Sequence, residues 1–536
     1  MLPKFLHYVL AVLIFFVFLA GCGPDKNVQS VDPAQNPRYG GVLRIAAQLP
    51  ESLDPIHSKY YWESEIVLQI FDGLLRFDQN LNLEPALAED WQVSSDGRVY
   101  TFRLRKGVRF HNGREVTAGD FVYSISRHLN PDSKSEDAEH YTKILGASRY
   151  RQGKASFLSG LAAPDPYTLK ITLERSYAPF LRVLAQQSAA VVPQEEVEKP
   201  SADFGKRPVG TGPYCFESWD PAGGIFLSMN PNYFDGRPYL DGIHIKTLSD
   251  LNPQRTFEDF GNGRLDISFV PGDRLQIARS NRDWVFLSYP AFRIVYLGMN
   301  LRNAVMRANC VREAIHFSIN KPEVVGQDPD FAITNNLIPL SLLGSNPTGG
   351  QDVYSVQAAQ QALRRSSLPE GRPLKIDLWH VTPTEDRRRL LARLVSCLHA
   401  AGIESEVKIA TSVKQMLRKI QSGEAQLFLY GEVIDFPDPH ALVNRLFNSR
   451  SEGNLFAYNN PRVDQLLLQG QTDTSDEARA RIYAQIEKQV MQDHVIIPLF
   501  WARYSFVVQK GVRGIELNSL GLQYLPFRKV WLRKAS

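Results

Sequence analysis

The sequence predicts an α/β protein in which helices pack on a parallel sheet, and residues 373–448 carry the clearest signal. There, three strand-like segments alternate with two amphipathic helical patterns. This β-α-β-α-β order is typical of parallel sheets, because each crossover helix returns the chain to the same end of the sheet. A hydrophobic content of 43% and a charged content of 22% are ordinary for a globular protein of this kind.

The first strand of this segment is expected at 374–379, and a helix follows it. Thr382 is the predicted N-cap, Pro383 the first helical residue and Glu385 the third, which together form a capping box. The helix is predicted to end at Gly402, a residue that adopts the left-handed conformation without strain. One helical face is apolar and should be buried; it consists of Leu391, Leu394, Val395, Leu398 and Ala401.

The second half of the segment repeats this order. A strand is predicted at 407–410, and Ser412 is expected to cap a helix that ends at Gly423. The third strand, 426–430, is almost entirely apolar and should therefore be covered on both faces. Elsewhere, alternation predicts strands at 41–46 and 100–104, and Thr117 is the expected N-cap of the helix that follows it.

The segment 431–440, which leaves the third strand, is the candidate binding loop. It carries three carboxylates, an aromatic ring and a histidine: Glu432, Asp435, Asp438, Phe436 and His440. In open α/β sheets, ligands bind beyond the carboxyl ends of the strands. Asp438 directly precedes Pro439 and is expected to cap the next helix, predicted at 441–447. Asp435 lies nearer the strand end, where a binding role is at least as well supported as a capping role.

The first 21 residues are typical of an export signal. A single basic residue, Lys4, precedes an apolar run at 9–20 that is too short to span a bilayer. Leu19-Ala20-Gly21-Cys22 resembles a bacterial lipobox, which implies cleavage before Cys22 and acylation of its thiol. An ordinary signal with a chance cysteine is the alternative. Residues 22–38 are polar, carry three prolines and are expected to form a flexible tether.

Composition argues against several functions. The formal net charge of +4 falls to +3 when Lys4 is removed with the signal. The sequence contains no basic block, so no nucleic-acid partner is expected.

The cysteines and motifs also exclude several kinds of site. Apart from Cys22, the three widely spaced cysteines Cys215, Cys310 and Cys397 give no disulfide framework, although a single bridge is possible. Cys397 lies in an apolar helical pattern and is expected in the core. No CxxC, HExxH, GxSxG or GxxxxGK[ST] motif occurs, so no metal, cofactor or catalytic activity is expected.

Several segments, in order along the chain, resemble the family 5 extracellular solute-binding proteins of ABC importers, the peptide- and nickel-binding group. The resemblance spans residues 40–510 and includes 86–91, 94–102, 104–113, 117–121, 208–214, 230–234, 311–315 and 435–439. It implies a two-lobed, periplasmic-binding-protein-like fold of type II with an inserted accessory domain. The implied function is a receptor that closes over a solute by hinge motion and delivers it to a permease with ATPase subunits.

The resemblance also implies a division of the chain. After the signal peptide (1–21) and tether (22–38), the first lobe comprises 39–60, 201–290 and 497–536. The accessory domain is expected at 61–200 and the second lobe at 291–496, with hinges near 293–296 and 497–500. A monomer is expected, at the periplasmic or cell surface and held to a membrane through lipidated Cys22.

The resemblance assigns ligand-binding roles within the candidate loop. Asp435 matches the family position that pairs with the α-ammonium of a bound peptide, and Phe436, Glu432 and His440 are the further ligand-binding candidates. Glu432 stands where the family often has Trp. Asp438-Pro439-His440 looks like the stretch that contacts the metal complex in nickel-binding members. The match at Asp435 makes a peptide the expected solute. A nickel chelate or another small solute is the alternative. An exported hydrolase and a scaffold without a solute are alternatives of other classes.

The lipobox interpretation predicts the fate of a Cys22→Ala variant. Without the thiol there is no site for acylation, so membrane fractionation should find released soluble protein or an uncleaved precursor. Normally processed variant protein that stays on the membrane would contradict the interpretation.

Overall fold

The structure is a computed structural model that describes residues 36–58, 61–135, 137–199, 203–220, 223–249, 252–326, 331–346, 354–366, 373–382 and 384–533. The predicted signal peptide, Cys22 and most of the predicted tether lie outside these residues. Within them, no helix combines the length and apolarity needed to cross a membrane.

A seven-stranded mixed sheet forms the centre of the architecture. Its strands, in spatial order, are Ile267–Phe269, Ile496–Gln509, Trp284–Met299, Leu427–Val433, Leu374–Val381 and Ile403–Ala410, and Phe331–Ile333 also pairs with Ile496–Gln509. The last three strands of the spatial series are parallel, as the β-α-β-α-β pattern predicts. Leu427, Phe428 and Leu429 are at most 1% exposed, which confirms that this strand is covered on both faces.

Two four-stranded sheets lie in the earlier part of the chain. The first has the order Val42–Gln48, Gly242–Leu248, Gly224–Met229 and Tyr214–Asp220. The second has the order Ala88–Val93, Val99–Leu104, Thr168–Thr172 and Leu161–Asp165 and is antiparallel throughout. Two-stranded pairs join Leu75–Phe77 to Leu83–Pro85 and Val512–Arg513 to Trp531–Leu532. The second four-stranded sheet falls wholly within the predicted accessory domain.

Helices surround these sheets. Those before the long strand Trp284–Met299 are Tyr61–Ile70, Ala118–Leu129, Ala138–Tyr141, Ala147–Arg151, Phe180–Val183, Gln194–Val197, Pro253–Gly261 and Leu275–Ser280. Those that follow are Ala304–Arg307, Asn309–Ser318, Lys321–Val325, Val356–Arg364, Glu385–Ala400, Val413–Gln421, Pro439–Phe447, Pro461–Thr472 and Asp476–Gln492.

The local start signals are confirmed in two places and wrong in a third. Thr117 and Ser412 are N-caps as predicted. Thr382 is not: its backbone N–H donates to the Ala410 oxygen at 3.0 Å, which continues the sheet pairing past Val381. The helix therefore begins at Glu385 with Thr384 as N-cap. The second parallel strand is also longer than predicted, because pairing begins at Ile403.

The two longest strands, Trp284–Met299 and Ile496–Gln509, pair antiparallel over most of their lengths. Their register is interrupted between Pro290 and Ile294 and again between Val295 and Tyr296. Such irregularities bend strands and disrupt the ladder locally, which makes them suited to a change of direction. They overlap the predicted hinge segment 293–296, although the hinges and domain boundaries remain predictions.

The cysteines do not cross-link the described residues. Cys215, Cys310 and Cys397 are all free thiols, so the bridge left open by the sequence is not formed. Cys397 is 4% exposed and packs in an apolar cluster with Leu394 and Leu398, which confirms its predicted core position. In the part of the chain described, no group of histidine, cysteine and carboxylate side chains is arranged to hold a metal ion.

Candidate functional site

The candidate loop predicted at 431–440 is shorter in the structure: residues 431–433 still belong to the strand Leu427–Val433 and residues 439–440 to the helix Pro439–Phe447, so the loop itself is 434–438. It also contacts the residue that precedes the predicted hinge segment 293–296, because the Ile434 backbone N–H donates to the Phe292 oxygen at 2.9 Å. The loop thus occupies the predicted ligand-binding edge of the sheet, beside the strands that are predicted to bend.

Asp438 anchors the loop. Its Oδ1 accepts a hydrogen bond from the His440 backbone N–H at 2.9 Å, so its predicted capping role is confirmed. Arg479 Nη2 donates to both carboxylate oxygens, at 2.7 and 2.9 Å, and both side chains are 0% exposed. Arg182, from the predicted accessory domain, approaches the same carboxylate at 3.7 Å. The loop's end is therefore held by a helix cap and a buried ion pair.

His440 lies in the first turn of the helix Pro439–Phe447 and not in the loop itself. It is 3% exposed, its Nδ1 lies 3.1 Å from the Tyr483 hydroxyl, and its ring meets the Tyr177 ring edge to face. Burial lowers its pKa to about 3, so the imidazole is neutral. The structure thus places His440 in a buried contact between helices.

Phe436 is also turned inward. Its side chain is 1% exposed, and its ring meets the His140 ring edge to face at 5.6 Å. His140 belongs to the helix Ala138–Tyr141 of the predicted accessory domain. Phe436 therefore holds the loop against a separate part of the chain.

Asp435 is the carboxylate of the loop that meets solvent. Its side chain is 54% exposed, while Gln186 Nε2 donates to its backbone oxygen at 3.2 Å. Its pKa is raised because surrounding protein displaces bulk water; Arg445 opposes this rise and Asp137 adds to it. The carboxylate is thus reachable from solvent although protein atoms crowd it.

Glu432 and Asp435 both approach the guanidinium of Arg445. The Glu432 side chain is 9% exposed, and its Oε1 lies 3.5 Å from Arg445 Nε. Arg445 Nη1 lies 4.0 Å from Asp435 Oδ2. Burial raises the pKa of Glu432 to about 7, with Arg445 opposing the rise and Asp435 increasing it. The two candidate carboxylates and Arg445 thus form one charge cluster.

The structure brings together Asp435 and Glu432 and turns Phe436 and His440 into packed surroundings. Arg445, Gln186 and Arg479 complete the site and were not predicted from the sequence. Arg445 lies on the following helix, ten residues after Asp435, so nearness in the sequence offered a weak signal for it. Gln186 and Arg479 are distant in the chain, and no sequence pattern links them to the loop.

Comparison with known proteins identifies first the fold and then the family. The ABC transporter substrate-binding protein CtaP of Listeria monocytogenes superposes with a TM-score of 0.82 at 19% identity, covering 93% of this chain and 100% of that one. The fold is thus the two-lobed type II fold of periplasmic binding proteins. The model of the bacterial extracellular solute-binding proteins, family 5 (middle), matches residues 82–454. The chain belongs to this family and is a solute-binding protein of ABC importers, not an enzyme.

Curated relatives extend over nearly the whole chain. The oligopeptide-binding protein AppA of Bacillus subtilis is 24% identical over 546 residues, covering 98% of each protein. The glutathione-binding protein GsiB of Shigella flexneri is 24% identical over 486 residues, covering 89% of this chain and 90% of the relative. The predicted family and its extracellular or periplasmic location are confirmed.

The anchor pair predicts a large loss of stability in Arg479→Met. This change removes both guanidinium hydrogen bonds to the buried Asp438 carboxylate and leaves it with Arg182 at 3.7 Å, so urea denaturation should show a loss of about 3–5 kcal/mol. The control is Arg388→Met, which removes an exposed pair with Glu385 at 3.4 Å and should cost less than about 1 kcal/mol. Equal effects of the two changes would contradict the anchoring role.

The raised pKa of Glu432 predicts a pH effect of defined sign. Between its ordinary value of 4.5 and about 7, the folded state holds a proton that the unfolded state has lost. The contribution of that proton to the free energy of unfolding is at its maximum below pH 4.5 and is lost as the pH rises through 7. Relative to Glu432→Gln, the unmodified protein should lose on the order of 2–3 kcal/mol between pH 5 and pH 8. Parallel urea-denaturation profiles for the two proteins would count against it.

Proposed function

We propose that this protein is a lipid-anchored receptor that captures peptides for an ABC importer by closing its two lobes over them. The observation that carries the peptide assignment is the Asp435 carboxylate, which is 54% exposed just beyond the carboxyl end of the central strand Leu427–Val433. An ammonium group that reaches this carboxylate makes a charge-assisted hydrogen bond, which strengthens as closing lobes exclude water.

The neighbourhood of Asp435 supports capture by closure. The backbone of Asp435 accepts from Gln186, and Phe436 packs on His140, so parts of the chain far apart in sequence meet at this loop. A solute that contacts both sides favours the closed state by its difference in affinity for the two conformations. The named solutes of AppA and GsiB, oligopeptides and glutathione, both carry an α-ammonium group.

A nickel chelate is the second candidate solute and has less support. Its sequence argument rests on His440, which is 3% exposed and already contacts Tyr483 through Nδ1. Because the ring is buried, binding a chelate through this side chain would require the helices packed around it to move apart. A scaffold that binds no solute offers no account of the exposed Asp435 carboxylate beside an irregular strand pair.

The anchor and delivery steps complete the proposal. Acylated Cys22, followed by the tether, would hold the receptor at a membrane, since more than one acyl chain gives stable attachment. The closed, loaded form would then be recognised by the permease with its ATPase subunits, and the receptor would act as a monomer without a cofactor.

Mass spectrometry of solute retained by protein purified from its native host tests the function. We expect peptides with free N-termini. A retained metal chelate whose binding is abolished by His440→Ala would reverse the order of the two solutes. Protein that retains nothing, and whose melting temperature is unchanged by a random-sequence peptide pool, would overturn the peptide assignment.

Replacing Asp435 by Asn removes the charge while keeping the shape and the capacity to cap a turn. Calorimetry should find that a free-amine peptide identified in the preceding experiment binds roughly 10- to 100-fold more weakly, the value of one charge-assisted hydrogen bond. The N-acetylated form of that peptide is the control, because it should bind both proteins equally weakly. Undiminished binding of the free peptide by Asp435→Asn would refute the ammonium contact.

A further inference from the structure

We propose that Glu432 is a positioning residue that draws Arg445 away from Asp435 and thereby makes the site selective for a solute with a positive charge. The proposal rests on the proposed function, because it assumes that Asp435 receives the cationic end of the solute. It adds Glu432 and Arg445 as the pair that determines whether Asp435 is available.

The guanidinium of Arg445 lies between two carboxylates, one buried and one exposed to solvent. Arg445 Nε is 3.5 Å from Glu432, whereas Arg445 Nη1 is 4.0 Å from Asp435. The Glu432 side chain is 9% exposed and is fixed in the sheet, while those of Arg445 and Asp435 are 51% and 54% exposed. The buried partner therefore fixes the position of Arg445, and the exposed carboxylate keeps one side open to solvent.

The charges of this cluster give the selectivity. With both acids ionised, two carboxylates and one guanidinium carry a net charge of −1, which favours a single cation. If Glu432 loses its charge, Asp435 is the remaining ionised carboxylate within 4.0 Å of Arg445 among the described residues. Arg445 and Asp435 then form a pair with no net charge. A cationic solute must then displace Arg445 from Asp435 before it can bind.

Other groups surround the cluster and must be separated from it in any test. Asp137 and His140, from the region of Ala138–Tyr141, face Asp435. Tyr296 and Tyr430, on neighbouring strands, face Glu432, and their rings lie 6.5 Å apart. None of these residues changes in the variants below, so differences between variants report on Glu432 and Arg445 alone.

Four proteins test the proposal: the unmodified chain, Glu432→Gln, Arg445→Gln and the double variant. Equilibrium dialysis against a random-sequence tripeptide pool with free N-termini, at pH 7.5, gives the bound fraction by mass spectrometry. Glu432→Gln should bind about tenfold more weakly, because one unit charge is lost near the cation. Arg445→Gln should bind more tightly. The double variant should return to near the affinity of the unmodified chain, because its net charge is again −1.

The rescue distinguishes a change in charge from damage to the fold. A double variant as weak as Glu432→Gln, or a Glu432→Gln variant that binds like the unmodified chain, would overturn the proposal. Failure of all four proteins, including the unmodified chain, to bind peptides would instead overturn the proposed function and this inference with it.

A pH series supplies a readout that a purely structural role would not affect. Between pH 8 and pH 6, peptide amines gain charge, which by itself would strengthen binding to a carboxylate. Protonation of Glu432 opposes this gain, so binding by the unmodified chain should weaken relative to binding by Glu432→Gln as the pH falls. A constant ratio of the two affinities across this range would contradict the role of Glu432.

Discussion

The buried ion pair between Asp438 and Arg479 is the interaction on which the candidate site depends. It joins the start of Pro439–Phe447 to the helix Asp476–Gln492, and both side chains are shielded from water. Because Asp438 also caps its own helix, one carboxylate fixes the end of the loop in position and direction. Removing Arg479 would leave the buried Asp438 carboxylate without its hydrogen-bonded guanidinium and with Arg182 at 3.7 Å, which is costlier than losing a surface pair. Asp435, three residues earlier, can therefore remain exposed on a loop that does not collapse.

The central sheet links this loop to the two long strands. Leu427–Val433 pairs with Trp284–Met299, which in turn pairs with Ile496–Gln509. Ile434, the first residue after Leu427–Val433, donates its backbone N–H to the Phe292 oxygen. Phe292 lies where the pairing of Trp284–Met299 with Ile496–Gln509 shifts register. The proposed solute contact at Asp435 and the predicted hinge are thus separated by only a few residues. This proximity offers a physical route from binding at Asp435 to a change in the angle between the lobes.

Sequence reasoning predicted what depends on local patterns. The parallel strands, the caps at Thr117 and Ser412 and the capping role of Asp438 follow from periodicity and from neighbours within a few residues. The predicted helix start at Thr382 was wrong because the backbone of Thr382 pairs with Ala410, a tertiary contact that the local sequence does not indicate. Likewise, Arg479 and Gln186 reach the loop only through folding, so their roles could not be predicted. His440 was a ligand candidate from the sequence because nothing near it in the chain indicates that it is buried. Its contacts with Tyr483 and Tyr177 form only when distant parts of the chain pack together.

Small-angle X-ray scattering of the purified protein, with and without a saturating peptide pool, most directly tests closure of two lobes over a solute. The radius of gyration should fall on addition of peptide, and Asp435→Asn should require more peptide for the same change. Calorimetrically verified peptide binding with an unchanged scattering profile would contradict capture by closure.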